Sequence, residues 1–273
     1  MKLIVGAQVY PWIQFYSERG ESYSDHYPEI FSALAGAGIG AWEESNVSQE
    51  LEAALERHGL SMPSMYAAAR LHEDDWEAGV ASIVASAKRG LSLRAKFVVV
   101  NPDPIDWSGK TAKTDAQLRT QATAMGVLND ELARQGQVLA YHVHSPEMLH
   151  SAREFHHMML AVNTMGMCLD THWIYRGAGN SQVALEDIVT MYASRVVSLH
   201  IRQSRDGVWT EFMDAGDIDY EPIAGTLRER GFSGPIVLEC AFEEGTPRKL
   251  SMEESHAASR HWVERVFGLA EGD

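Results

Sequence analysis

The chain has 273 residues and a net charge of −15, which argues against nucleic acid as a partner, because neutralising phosphates takes Lys and Arg. Its hydrophobic content of 45% supports one large α/β domain over residues 1–273, and no apolar run approaches the roughly 18 residues that would suggest a membrane span. The opening Met-Lys-Leu-Ile-Val-Gly-Ala-Gln enters a strand pattern directly, with no secretory layout of charge, apolar stretch and cleavage site, so a cytoplasmic protein is expected.

A first strand is predicted over residues 3–10. Instead of a glycine-rich phosphate turn it is followed by the bulky Tyr10-Pro11-Trp12-Ile13-Gln14, which argues against a doubly wound dinucleotide fold. A helix over 27–37 leads to a second strand at 38–43, and a helix over 48–58 to a third at 60–66. A helix over 74–89 leads to a fourth strand at 95–101, and a long amphipathic helix over 115–135 to a fifth at 138–144. Helices over 146–162, 184–193 and 220–230 alternate with strands at 165–170, 196–200 and 235–239, and a last helix covers 251–267. Gly38, Gly59, Gly90 and Gly136 follow four of the helices, at the position where a left-handed residue ends one. Eight strand–helix units in strict alternation predict a single (β/α)8 TIM barrel. The longest non-helical connections, 101–114, 171–182 and 203–219, follow strands four, six and seven, on the side where such a barrel builds its site.

Strands five to eight each carry a metal-ligand residue near the C-terminal end: His142, Asp170, His200 and Glu239. In a closed parallel barrel those ends converge, so two His and two carboxylates make a site for one divalent cation. Alternation sets His144 on the face of His142 and Arg202 on that of His200, with residues two apart standing about 6–7 Å apart along the strand. That spacing separates a metal ligand from a group that touches substrate. The same alternation turns Cys168 inward with Asp170 and Cys240 outward from Glu239, so the two cysteines are not expected to form a disulfide.

The segments GAGIGAWEES, HGLSMPSM, LDTHW, SLHIRQS and GDIDYEPIAGTLRERGFSGPIVLEC resemble the xylose-isomerase-like TIM-barrel superfamily of sugar isomerases and epimerases, a likeness that runs over nearly the whole chain. The resemblance implies one metal held by Glu, Asp, His and Glu from strands five to eight. Asp170, His200 and Glu239 match the last three positions. The first appears as His142 within Tyr-His-Val-His, similar to the branch that includes inosose-dehydratase-like proteins, with His144 and Glu147 as alternatives in that register. Relatives often read Asp-Thr-x-His at strand six. Here the His is one residue early, at His172, so its substrate role is not carried over. The Lys-Asp that often follows the strand-seven His is Arg202-Gln203.

Two neutral imidazoles and two carboxylates balance a divalent ion, and the nitrogen-rich set favours Mn, Co, Zn or Fe over Mg. Such an ion would act as a Lewis acid on a substrate carbonyl. The expected function is a sugar isomerase or epimerase acting on a carbohydrate or keto-polyol. Glu239 is its general base; either His142 or His144 takes the place of the second base that family epimerases supply as a glutamate, or a one-base proton shuttle operates. A keto-sugar or inosose dehydratase and a catalytically idle sugar-binding barrel are the alternatives. The acidic charge argues against the endonuclease branch. His144, Arg202, Glu43 and Trp173 are expected to contact substrate, with Glu211 an alternative partner for Arg202. Trp12, Trp107 and His72 are weaker mouth candidates, and the mid-helix His156-His157 are read as surface or core. A homo-oligomer is left open.

Overall fold

A strand buried on both faces must be covered by helices on one side and by other strands' side chains on the other, and this chain meets both needs by closing its sheet. The computed structural model describes residues 4–268. The strands of its barrel are β1 (Val5–Gln8), β2 (Ala41–Glu43), β3 (Ser64–Ala69), β4 (Phe97–Pro102), β5 (Val138–Tyr141), β6 (Gly166–Asp170), β7 (Val196–Ile201) and β8 (Ile236–Leu238). All pair in parallel, in the order β2-β1-β8-β7-β6-β5-β4-β3. Closure between β2 and β3 falls to the residues just before β3. Ser61 bridges Ala41, and its carbonyl accepts the Trp42 N–H at 2.9 Å. The predicted third strand, 60–66, is split there because Pro63 has no N–H to give the ladder. The result is a (β/α)8 barrel, as the alternation predicts.

The predicted helices appear as α2 to α6 and α8 to α10, after a short α1 (Tyr10–Ser17). They are α2 (Tyr27–Gly36), α3 (Gln49–His58), α4 (Trp76–Gly90), α5 (Asp115–Arg134), α6 (Ser145–Ala161), α8 (Gln182–Tyr192), α9 (Glu221–Glu229) and α10 (Met252–Val266), with α7 (Thr171–Gly177) between α6 and α8. Neither α1 nor α7 is in the sequence prediction. Pro11 pre-sets the first turn of α1, which takes over the end of the expected first strand. The carboxylate of Asp170 caps α7, where a loop was expected, by accepting the Trp173 N–H at 2.7 Å. Gly90 is not a helix stop: it stays helical, and a Cβ there would meet Met65 Sδ at 2.7 Å. Helix α6 is not continuous, since Leu149 is extended and His150, Ser151 and Ala152 are left-handed.

The main core lies between the sheet and the helices, with Phe31, Leu34, Met125, Phe155 and Leu199 among its fully buried members. Inside the barrel Val99, Ala140 and Cys168 pack with Tyr66. Cys240 points outward, its Sγ 3.5 Å from Ser259 Oγ on α10, and both cysteines are free. Among the described residues no helix is long and apolar enough to cross a membrane.

Candidate active site

Register decides which side chains meet at the C-terminal mouth. Asp170 pairs with His200, and Val237 with His200 on the other side, so Glu239 stands two residues beyond its neighbour's level. The Glu239 N–H donates to Ile201 O at 3.1 Å, and the His142 N–H to Val100 O at 2.9 Å, which extends both strands past their last ladder residues. Ligand-type atoms of Asp170, His200 and Glu239 thus lie within 4.8 Å of one another. His142 Nε2 is 4.0 Å from Asp170 Oδ2, and its ring centroid is 4.8 Å from that of His200.

His200 and Glu239 each face a further charged group. His200 lies between two carboxylates, with Glu239 Oε1 3.1 Å from Nδ1 and Glu43 Oε1 2.8 Å from Nε2, although neither ring nitrogen makes an aligned hydrogen bond. Ser64 donates to the other oxygen of Glu43 at 2.5 Å. Arg202 donates through Nη2 to Glu239 Oε2 at 2.8 Å and through Nε to Glu239 O at 3.1 Å, and it stacks 3.6 Å over the Trp209 ring. Its Nη1 is buried without a partner.

Charge and burial set the protonation states. Burial, reinforced by the negative Glu239, pushes Asp170 up to about 8. Burial also opposes the charge on Glu239, yet Arg202 and His200 hold that carboxyl well below the usual range. Desolvation would lower His200, but Cys168, Glu43 and Glu239 raise it overall. Burial and the neighbouring imidazoles keep His142 neutral, and burial holds His144 down to about 4. Two carboxylates, two imidazoles and the unpartnered buried Asp170 Oδ2, His142 Nδ1 and His200 Nδ1 form a donor set that suits a divalent cation. Donors of a single ion stand at most about 4.3 Å apart, close to the separations here.

Above the cluster opens a cavity of about 330 Å³ lined by Gln8, Tyr10, Tyr66, His142, His144, Trp173, Arg202, Trp209 and Glu239. His144, Arg202 and Trp173 therefore border it as expected. Glu43 does not: it is fully buried, with its carboxylate turned to His200 Nε2 at 2.8 Å, and it does not line the cavity. Glu44 turns outward and accepts from Trp42 Nε1 at 2.7 Å. Glu147 stands apart from the cluster, accepting the His144 N–H at 2.8 Å, with burial pushing it up to about 7. Glu211 accepts the Leu250 N–H and leaves Arg202 to Glu239. Trp12 is buried against His256, with centroids 5.6 Å apart, and does not reach the mouth. Trp107 is exposed and meets the edge of His144. His72 is buried beside Glu73, away from the cavity. His172 is buried with both ring nitrogens unpartnered and lies behind Trp173 and Trp209.

Sequence reasoning missed Gln8, Tyr10, Tyr66 and Trp209. The signal for Trp209 is Asp206-Gly207, whose positive φ values of 53° and 80° turn a hairpin between Ser204–Arg205 and Val208–Trp209. The loop at 214–219 locks that hairpin: Asp217 accepts the N–H groups of Asp206 and Gly207, both at 2.9 Å, and Gln203 donates to Asp214 O and Ile218 O.

Comparison with known proteins finds a match between residues 28–264 and the family described as Xylose isomerase-like TIM barrel. The inosose dehydratase of Histophilus somni (strain 129Pt) is 24% identical over 217 residues, covering 72% of this chain and 70% of that protein. The inosose dehydratase of Clostridium perfringens (strain 13 / Type A) is 23% identical over 253 residues, covering 78% and 82%. Among solved structures, an L-ribulose 3-epimerase superposes with a TM-score of 0.75 at 14% identity, covering 97% of this chain and 95% of that one. The D-psicose 3-epimerase of Clostridium cellulolyticum H10, solved with D-tagatose, gives 0.74 at 16%, covering 97% and 99%. At these identities the structural likeness speaks for the fold.

Proposed function

The chain belongs to the xylose isomerase-like TIM barrel family, and on that premise we propose that it is a sugar-modifying enzyme, a divalent-metal-dependent isomerase or epimerase that moves a proton beside the carbonyl of a carbohydrate or keto-polyol. The observation that carries this reading is the meeting of Asp170, His200 and Glu239 at the floor of an aromatic-walled cavity. His142, Asp170, His200 and Glu239 would hold the ion, which when bound supplies Lewis acidity toward the substrate carbonyl. The nitrogen content of the set favours Mn, Co, Zn or Fe over Mg.

The chain's own groups divide the remaining work. Glu239 borders both the cluster and the cavity and is the leading general base; Arg202 orients its carboxylate through Oε2 and itself lines the cavity, where its charge favours substrate oxygens. Tyr66, Trp173 and Trp209 wall the cavity with aromatic surface that suits the C–H groups of a sugar.

A second reading, β-elimination of water from a keto-sugar or inosose, is favoured by the names of the sequence relatives and by the neutral His142 at a position where the resemblance implies a carboxylate. One experiment separates the readings. Chelator-treated protein is titrated calorimetrically with Mn, Co, Zn and Mg, then incubated in D2O with a panel of ketoses and inososes. Deuterium uptake without water loss supports the isomerase, and net water loss supports the dehydratase. Ion uptake with neither indicates an idle sugar-binding barrel. Ion uptake undiminished by Asp170→Asn with Glu239→Gln overturns the metal site.

A further inference from the structure

We propose that Asn101 is the positioning residue that sets the tautomer of His144, so that His144 offers a bare Nε2 to the substrate cavity as an acceptor for a sugar hydroxyl. The inference deepens the reading of the cavity as a carbohydrate site and rests on it.

Asn101 lies near the end of β4 and is fully buried. Its amide spans the two histidines of Tyr-His-Val-His: Nδ2 donates to His142 O at 3.3 Å, and Oδ1 stands 3.2 Å from His144 Nδ1. A backbone carbonyl only accepts, so the amide NH2 group must face His142 O; the flipped amide would set two acceptors against each other. With that end assigned, Oδ1 faces the ring. An amide oxygen also only accepts, so Nδ1 of His144 carries the hydrogen. A neutral imidazole has one N–H, which leaves the lone pair on Nε2.

The ring is held in place to use it. His142 meets it edge to face at 4.8 Å, Trp107 at 5.1 Å, and Trp173 lies 5.4 Å away, while Glu147 holds the His144 backbone N–H at 2.8 Å. Asn101 itself does not line the cavity, so its effect on a substrate passes through the histidine. A hydroxyl of a polyhydroxy substrate can donate to such a nitrogen, whereas the opposite tautomer would donate to the hydroxyl oxygen instead, so the tautomer fixes which way that hydroxyl's hydrogen points.

The test is spectroscopic. Long-range proton–nitrogen spectra of the full chain, labelled with nitrogen-15 in its histidine rings and recorded at neutral pH, report which ring nitrogen is protonated, and His144→Gln identifies the resonances. The expected result is a protonated Nδ1 and bare Nε2 for His144 in the native protein, with loss of that preference in Asn101→Leu. A native Nε2–H tautomer overturns the proposal, and so does an Asn101→Leu spectrum with the tautomer unchanged. Should Asn101→Leu fail to fold, the native spectrum still decides. Calorimetric titration of the same samples with Mn keeps the two readings apart. The expected tautomer in a protein that takes up no ion sustains this inference and overturns the metal centre, while the reverse pair of results does the opposite.

Discussion

Glu43, fully buried at the end of β2, stands 2.8 Å from Nε2 of His200 on β7, while the other edge of the same ring faces Glu239 at 3.1 Å. A carboxylate behind a histidine favours the proton on the nitrogen it faces and leaves the other nitrogen for an ion. Glu43→Gln is therefore expected to weaken divalent-metal binding by about 10- to 100-fold. Calorimetric titration with Mn or Co measures this directly; affinity unchanged by the substitution would show that Glu43 does not orient the ring.

Arg202 and Glu239 form a pair that is almost wholly withdrawn from solvent. Arg202→Met leaves the Glu239 carboxylate buried with only His200 beside it, at an expected cost of up to about 3–5 kcal/mol. Adding Glu239→Gln should recover part of that loss, because the stranded charge is gone. Urea unfolding of the two single variants and the double variant gives the coupling, and strictly additive losses would speak against a paired role.

Burial holds His256 down to about 4, against 6.5 for a free imidazole. The unfolded chain binds a proton in the window between those values that the native chain refuses. Stability is thus full above 6.5 and falls as the pH drops toward 4, by up to about 1.4 kcal/mol per pH unit for each such histidine. His172, held down to about 3, adds to the same slope. Thermal or urea unfolding from neutral pH down to about 5 reads the trend. His256→Gln should flatten it, and an unaltered slope in that variant would remove His256 from the account.

Gly216 sits against the hairpin strand, where a Cβ would come within 2.3 Å of Ser204 O and 2.5 Å of the Gln203 side chain. Gly216→Ala must therefore displace the loop that locks Trp209 over Arg202, at a cost of about 1–3 kcal/mol. A change in tryptophan emission with lowered unfolding stability is the expected reading, and native emission and stability would contradict it.

The barrel was legible in the sequence because its signal is local and repeated. Each strand is a short apolar run, each helix has its own period, and Gly59 and Gly136 adopt the left-handed backbone their positions suggest. What escaped was short or dependent on one capping contact. Helix α7 exists because Asp170 doubles as its N-cap, and the hairpin bearing Trp209 depends on two residues of turn chemistry. Glu43 was assigned to the substrate for its place at a strand end, but a strand end does not reveal how deep in the barrel a side chain stops.

The sequence by itself determined the (β/α)8 architecture, the end of the barrel where chemistry gathers, and the residue types His142, Asp170, His200 and Glu239 that gather there. Alternation alone separated inward Cys168 from outward Cys240, because successive side chains of a strand point to opposite faces. Only the tertiary structure decided which groups touch. Strand register set Asp170 beside His200, brought Glu43 beneath His200, gave Arg202 to Glu239 instead of Glu211, and laid Asn101 across the two histidines that follow β5. Those contacts join strands far apart in the chain, and distances of a few ångströms between them arise only when the sheet closes.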